Sequence, residues 1–233
     1  EIMPSLVGSE MCIRDSMSGF IERPYDYLRN PEAIYARSFE TIRMEADLSR
    51  FTAEEADVAT RIIHACGMVD IAADIDFTPG AVAAGMQAMR AGRAILCDVQ
   101  MVARGIIQRL LPPGVDIACT LDDAGVADHA RALQTTRSAA AVDLWANRID
   151  GAILVFGNAP TALFRLLECV SQAGAQPALV VGMPVGFVGA VESKQALAER
   201  HELASIIVHG RRGGSAMAAA TVNAIAILSR AAS

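Results

Sequence analysis

Lysine is nearly absent from this 233-residue chain: Lys194 stands alone among 20 lysines and arginines, and 26 carboxylates leave a net charge of −6. Such a balance disfavours a general nucleic-acid surface, because phosphate binding needs a clustered excess of cations. The other cations are arginines, the residue suited to planar, bidentate capture of carboxylates. A GC-rich genome accounts for that bias equally well. Paired cysteines are lacking too. Cys12, Cys66, Cys97, Cys119 and Cys169 show no C-x-x-C spacing, and an odd count fits reduced thiols in a cytoplasmic setting better than a disulfide framework. Long apolar runs are missing as well, although 53% of the residues are hydrophobic and mean hydropathy is +0.34. Stretches such as 152–157 and 178–182 break on Gly, Pro or charge well before the ~20 residues of a spanning helix, so no membrane association is expected.

Several cofactor and catalytic signatures are also absent. There is no phosphate loop, no Gly-x-Ser-x-Gly elbow, no His-Glu-x-x-His motif and no Cys/His metal spacing, and the glycines between Gly182 and Gly189 do not follow the dinucleotide Gly-x-Gly-x-x-Gly. No metal, flavin or nucleotide cofactor is expected. A reaction that needs an acid and anion anchors fits what remains.

What is present is an alternation of helical patterns with short apolar runs. Residues 1–16 lack periodicity and read as a non-native leader rather than a targeting signal, and one domain is expected over 25–230. Helices are predicted over 31–47, 53–66, 80–91, 101–108, 137–148, 161–173, 193–201 and 214–228, the first with Asn30 as N-cap and Pro31 at its first position. Buried strands are predicted over 94–97, 116–120, 152–156, 178–181 and 205–208. Strands apolar on both faces and separated by helices predict a three-layer, doubly wound α/β fold with about five mostly parallel strands, flavodoxin-like in arrangement. In such a sheet ligands sit beyond the carboxyl ends of the strands. The segments after those ends are the most distinctive in the chain: 98–101, 157–161, 182–189 and 210–217.

Within them, candidate residues admit two readings each. His64 closes an amphipathic helix that Gly67 is suited to cap, and a helix C-terminus favours imidazolium, the form that donates a proton; the plainer reading is a histidine packed at the helix end. His129, His201 and His209 are weaker candidates. Asn158 and Thr161 belong to a strand-to-helix turn whose amides can face an anion, while Thr161 also suits a helix cap. Arg211, Gly213, Gly214 and Ser215 form either an anion loop or a turn with solvated arginines. Arg137 binds an anion or lies on the surface. Ser38 and Arg43, five positions apart, do not share a narrow helical stripe.

Seven stretches in register resemble the precorrin-8X methylmutase family: 38–47, 63–67, 96–98, 136–141, 157–162, 182–190 with 192–194, and 210–217. The likeness runs from about Tyr25 to near Ile227. It implies a homodimeric, flavodoxin-like isomerase that converts precorrin-8X to hydrogenobyrinate, or the cobalt-containing counterpart to cobyrinate, by moving a methyl from C-11 to C-12 of the tetrapyrrole. His64 matches the family's proton donor. Ser38, Arg43, Arg137 and the 211–215 loop match segments lining the substrate site, and the substrate's acetate and propionate arms suit arginine forks and helix N-termini. Because a corrinoid is a broad disc, a two-fold dimer with Arg137 reaching toward the neighbour's substrate is expected. Gln100 departs from the acidic or small polar residue that relatives often carry. Two rival readings are a corrinoid carrier without turnover and, on fold alone, a nucleotide-binding domain.

Overall fold

A computed structural model describes residues 25–231; the expected leader, 1–16, lies outside the described residues. The described residues fall into two units that meet between Arg37 and Ser38. In the first, Asn30 Oδ1 accepts a 2.8 Å hydrogen bond from the Ala33 amide, the cap expected from the sequence, and helix α1 (Pro31–Glu45) starts there. The second unit holds α1 from Ser38 onward, the sheet and the remaining helices.

Six strands make that sheet: β1 (Ile75–Phe77), β2 (Ile95–Cys97), β3 (Ile117–Ala118), β4 (Ile153–Phe156), β5 (Leu179–Gly182) and β6 (Ser205–Val208), in the order β1-β6-β5-β4-β2-β3. All pairs are parallel except β1 with β6. The five parallel strands are the five expected, and their order is the flavodoxin-like one. The additional strand, β1, escaped the sequence reading because it is three residues long, carries Asp76 in its middle and pairs on one side only.

Helices α2 (Ala53–Cys66), α3 (Ala81–Arg90), α4 (Gln100–Gly105) and α9 (Ser215–Ala231) cover one face of the sheet. The opposite face is covered by α6 (Arg137–Asp143), α7 (Pro160–Ala173) and α8 (Ala190–Ala198). Alternation along each strand feeds the two cores separately: Ile153 and Val155 point into the first, Leu154 and Phe156 into the second. Fully burying side chains of this size contributes about 1.5–3 kcal/mol each.

Two predicted helices stop early, for visible reasons. The one expected over 101–108 ends at Gly105, where the Asn223 carboxamide accepts from the Ile107 amide at 2.8 Å and donates to the Gly105 carbonyl at 3.0 Å. The one expected over 137–148 ends at Asp143, followed by a 3-10 turn over Ala146–Arg148; Trp145 is buried against Phe156 and its indole N–H donates to Thr120 Oγ1 at 2.9 Å. A short helix not foreseen, α5 (Val126–Ala132), packs on α6 through Val126, Ala130, Ala140 and Ala141.

Candidate active site

Local rules place His64. Thr52 and Glu55 form a capping box that starts α2, and Gly67 ends it in the left-handed region (φ 70°), its amide donating to the Ile63 carbonyl. His64 sits exposed in the last turn of that helix. Its ring meets Phe39 of α1 edge-on, with centroids 5.3 Å apart. The same Phe39 ring carries two guanidinium groups, Arg61 at 5.1 Å and Arg43 at 5.8 Å from the centroid. Arg43 also pairs with Asp57 at 2.8 Å, both side chains about half exposed. An exposed pair of this kind contributes roughly 0–1 kcal/mol, so Arg43 can exchange its carboxylate partner at little cost. The half-buried Ser38 precedes Phe39 on α1. Three of these residues, Arg43, His64 and the unforeseen Arg61, are thus gathered around one aromatic ring, with Ser38 next to it in sequence on α1.

A second group lies at the carboxyl ends of β5 and β6. Met68, four residues beyond His64, joins Val185, Gly186, Phe187, Arg211, Arg212, Gly213 and Met217 around a cavity of about 460 Å³. The two loop arginines play unlike parts. Arg212 is bound by Asp70 (2.6 Å) and by Asp74, while Arg211 is exposed and lies over the Phe187 ring at 5.4 Å. Glycine is required at 213: φ is 156°, and a Cβ there would drive into the Met183 carbonyl. The Gly214 amide is taken, donating to the Met183 carbonyl at 2.8 Å. Beneath the loop, fully buried Lys194 of α8 donates from Nζ to the Arg212 carbonyl at 2.7 Å. Burial pulls its ammonium down to about 8, with Asp74 opposing the shift.

The third group marks the point where strand order reverses, between β2 and β4. The loop after β4 does present its amides to an anion, but that anion is internal. Asp98, 3% exposed, accepts from the amides of Gly157 (3.0 Å), Asn158 (2.9 Å) and Ala159 (2.8 Å). Burial pushes the Asp98 carboxyl up, and the three donors work against that rise. The side chain of Asn158 remains exposed. Thr161 is not the cap of α7, a position held by Ala159 with Pro160 first in the helix; its hydroxyl is instead 2.8 Å from that of Thr136, which caps α6 through the Ala139 amide. Arg137 is exposed and pairs with Asp122 at 3.1 Å. Its helix covers the face of the sheet opposite to the one covered by α2.

Comparison with known proteins decides what this arrangement belongs to. The precorrin-8X methylmutase family model matches residues 33–228. A relative from Pseudomonas aeruginosa named precorrin-8X methylmutase is 52% identical, covering 86% of this chain and 97% of its own. The chain belongs to the precorrin-8X methylmutase family. A cobalt-precorrin-8 methylmutase from Priestia megaterium is 39% identical, over 85% of this chain and 88% of that one. A solved precorrin-8X methyl mutase from Thermus thermophilus superposes with a TM-score of 0.79 at 40% identity, covering 86% of this chain and 97% of its own. Family membership makes the chain an isomerase of corrinoid biosynthesis, and the flavodoxin-like fold agrees with it.

For a methylmutase, the sequence reading missed Arg61 and the roles of Asp98 and Lys194. Arg61 is three positions before His64 on α2, the spacing that puts two side chains on neighbouring turns, and that was the available signal. Asp98 was visible at the end of a strand, but its partners lie some sixty positions away. Among the described residues no group of three or more His, Cys, Asp or Glu is placed to hold a metal ion, and no helix is long and apolar enough to cross a membrane.

Proposed function

We propose that this chain moves a methyl group from C-11 to C-12 of precorrin-8X, with His64 as the proton donor. The observation that carries the reading is the exposed imidazole at the C-terminal end of α2, set beside Phe39 and its two guanidiniums. Protonation by His64 draws electron density from the macrocycle; the bond from the methyl to C-11 then breaks as the bond to C-12 forms, and His64 recovers its proton when the product leaves. Substrate and product are isomers, so nothing else is consumed. Arg43, Arg61 and Arg211 supply positive charge to the acetate and propionate arms, with Ser38 and the Gly213–Ser215 turn shaping the approach. Identities of 52% and 51% to the precorrin-8X methylmutases of Pseudomonas aeruginosa and Sinorhizobium support a cobalt-free ring as the substrate.

The working form is a cytoplasmic homodimer in this reading. His64 and Arg137 belong to helices on opposite faces of one sheet. A two-fold axis brings Arg137, Asn158 and Thr161 of one subunit toward the disc bound by the other. To test the activity, purified protein is mixed with precorrin-8X and the visible spectrum followed: wild type converts the chromophore, and His64→Ala binds it without conversion. Turnover by His64→Ala at the wild-type rate would remove the histidine from the mechanism. A wild-type spectrum that is perturbed but never converted would make the protein a carrier.

A further inference from the structure

Two adjacent arginines follow β6, yet only one of them faces the cavity without a carboxylate partner among the described residues. Arg212 is consumed on both ends. Its guanidinium is tied to Asp70 and Asp74, and its backbone carbonyl is held at 2.7 Å by the buried ammonium of Lys194. The peptide is therefore clamped from outside the sheet by two aspartates and from beneath by α8. With the Arg212 carbonyl directed inward and the Gly214 amide fixed to Met183, the turn has little freedom left. Arg211, immediately before it, is left over Phe187 at the cavity rim.

We infer that Lys194 is a positioning residue for substrate binding: by holding the Arg212 carbonyl it presents Arg211 to a carboxylate arm of the substrate. The inference rests on the methylmutase reading above and names which loop cation that reading uses. Hydrogen-bond geometry carries it. A lysine buried to zero exposure is costly unless its charge is bound, and here the bond made is to the backbone of the loop that faces the ligand. The charged groups around the ammonium are Asp74, which also binds Arg212, and through Arg212 Asp70. Lys194 touches no substrate and takes no part in proton transfer.

The test is a double-mutant cycle on steady-state turnover of precorrin-8X, using Lys194→Met, Arg211→Gln and the double variant. Arg211→Gln and Lys194→Met should each raise KM about tenfold with kcat within about twofold, the pattern of lost binding rather than lost chemistry. The double variant should be no worse than about tenfold, because Lys194 acts through Arg211. Losses that multiply to about a hundredfold, or a Lys194→Met enzyme with unchanged KM, would overturn the inference. Should Lys194→Met fail to fold, Lys194→Gln, whose shorter side chain does not span to the Arg212 carbonyl, takes its place in the cycle: it should raise KM in the wild-type background and no further in Arg211→Gln, and losses that multiply refute the inference. Failure of the methylmutase reading looks different, since wild type itself then gives no turnover.

Discussion

The carboxylate of Asp98 accepts a 2.8 Å hydrogen bond from the amide of Ala159, across the gap where the order of the parallel strands reverses. In flavodoxin-like sheets that gap is where ligands enter, and here a side chain of the protein fills the anion position. Asp98→Ala would leave three amides unpaired, two of them in buried residues. Each such group costs about 1–3 kcal/mol, so urea denaturation should show a loss of roughly 3 kcal/mol or more. A loss under about 1 kcal/mol would mean that the amides find other partners.

Phe39 gives a separate handle on His64. Leucine in its place keeps an apolar side chain at the buried site but removes the edge contact to the imidazole and the surface over which Arg43 and Arg61 lie. Stability should fall by less than about 1.5 kcal/mol. Turnover of precorrin-8X should fall about tenfold or more, because a ring no longer held is misplaced for proton transfer. Equal turnover in Phe39→Leu and wild type would separate the aromatic contact from function.

Lys194 leaves a signature in stability as well. Burial lowers it to about 8 from the ordinary 10.5. A lowered lysine means that between those values the unfolded chain binds more protons than the folded one, so stability from this residue rises with pH across that window. Relative to Lys194→Met, wild type should therefore gain up to roughly 3 kcal/mol on going from pH 7 to pH 10.5. Chemical denaturation of both proteins at the two pH values measures it. A difference that stays constant would show that Lys194 titrates normally.

Shared sites in the proposed homodimer can be tested by mixing inactive His64→Ala and Arg137→Ala proteins under subunit exchange. If Arg137 serves the neighbouring subunit's substrate, heterodimers regain activity at one of their two sites. An exchanged yet inactive mixture would confine Arg137 to its own subunit, and a monomer by sedimentation would remove the dimer altogether.

The parts of the fold legible from sequence were those set by burial on both faces. Runs such as Ile153-Leu154-Val155-Phe156 have no polar side to present, so they had to be central strands, and the helices between them had to cover both faces. What sequence could not show depended on partners far along the chain. Trp145 ends a helix by reaching back to Thr120, and β1 exists through its pairing with β6. Helix-end rules were enough to place His64 in the last turn of α2, whose Gly67 cap was expected and found. Arg211 and Arg212 looked equivalent until Asp70 and Asp74 were placed beside one of them. Arg61 looked like any surface arginine on an amphipathic helix until Phe39 of another helix lay under it.

The burial of Lys194 also gives the protein an internal reporter. It is the sole lysine in the chain and has no exposed surface, so an amine-reactive label that modifies exposed lysines finds no lysine side chain to attack while the fold is closed. Each molecule that opens far enough to expose α8 offers one ε-amine and gains one mass increment. Counting that increment over time, apart from any label on the α-amine, reads the opening of a single buried helix in an otherwise unmodified enzyme.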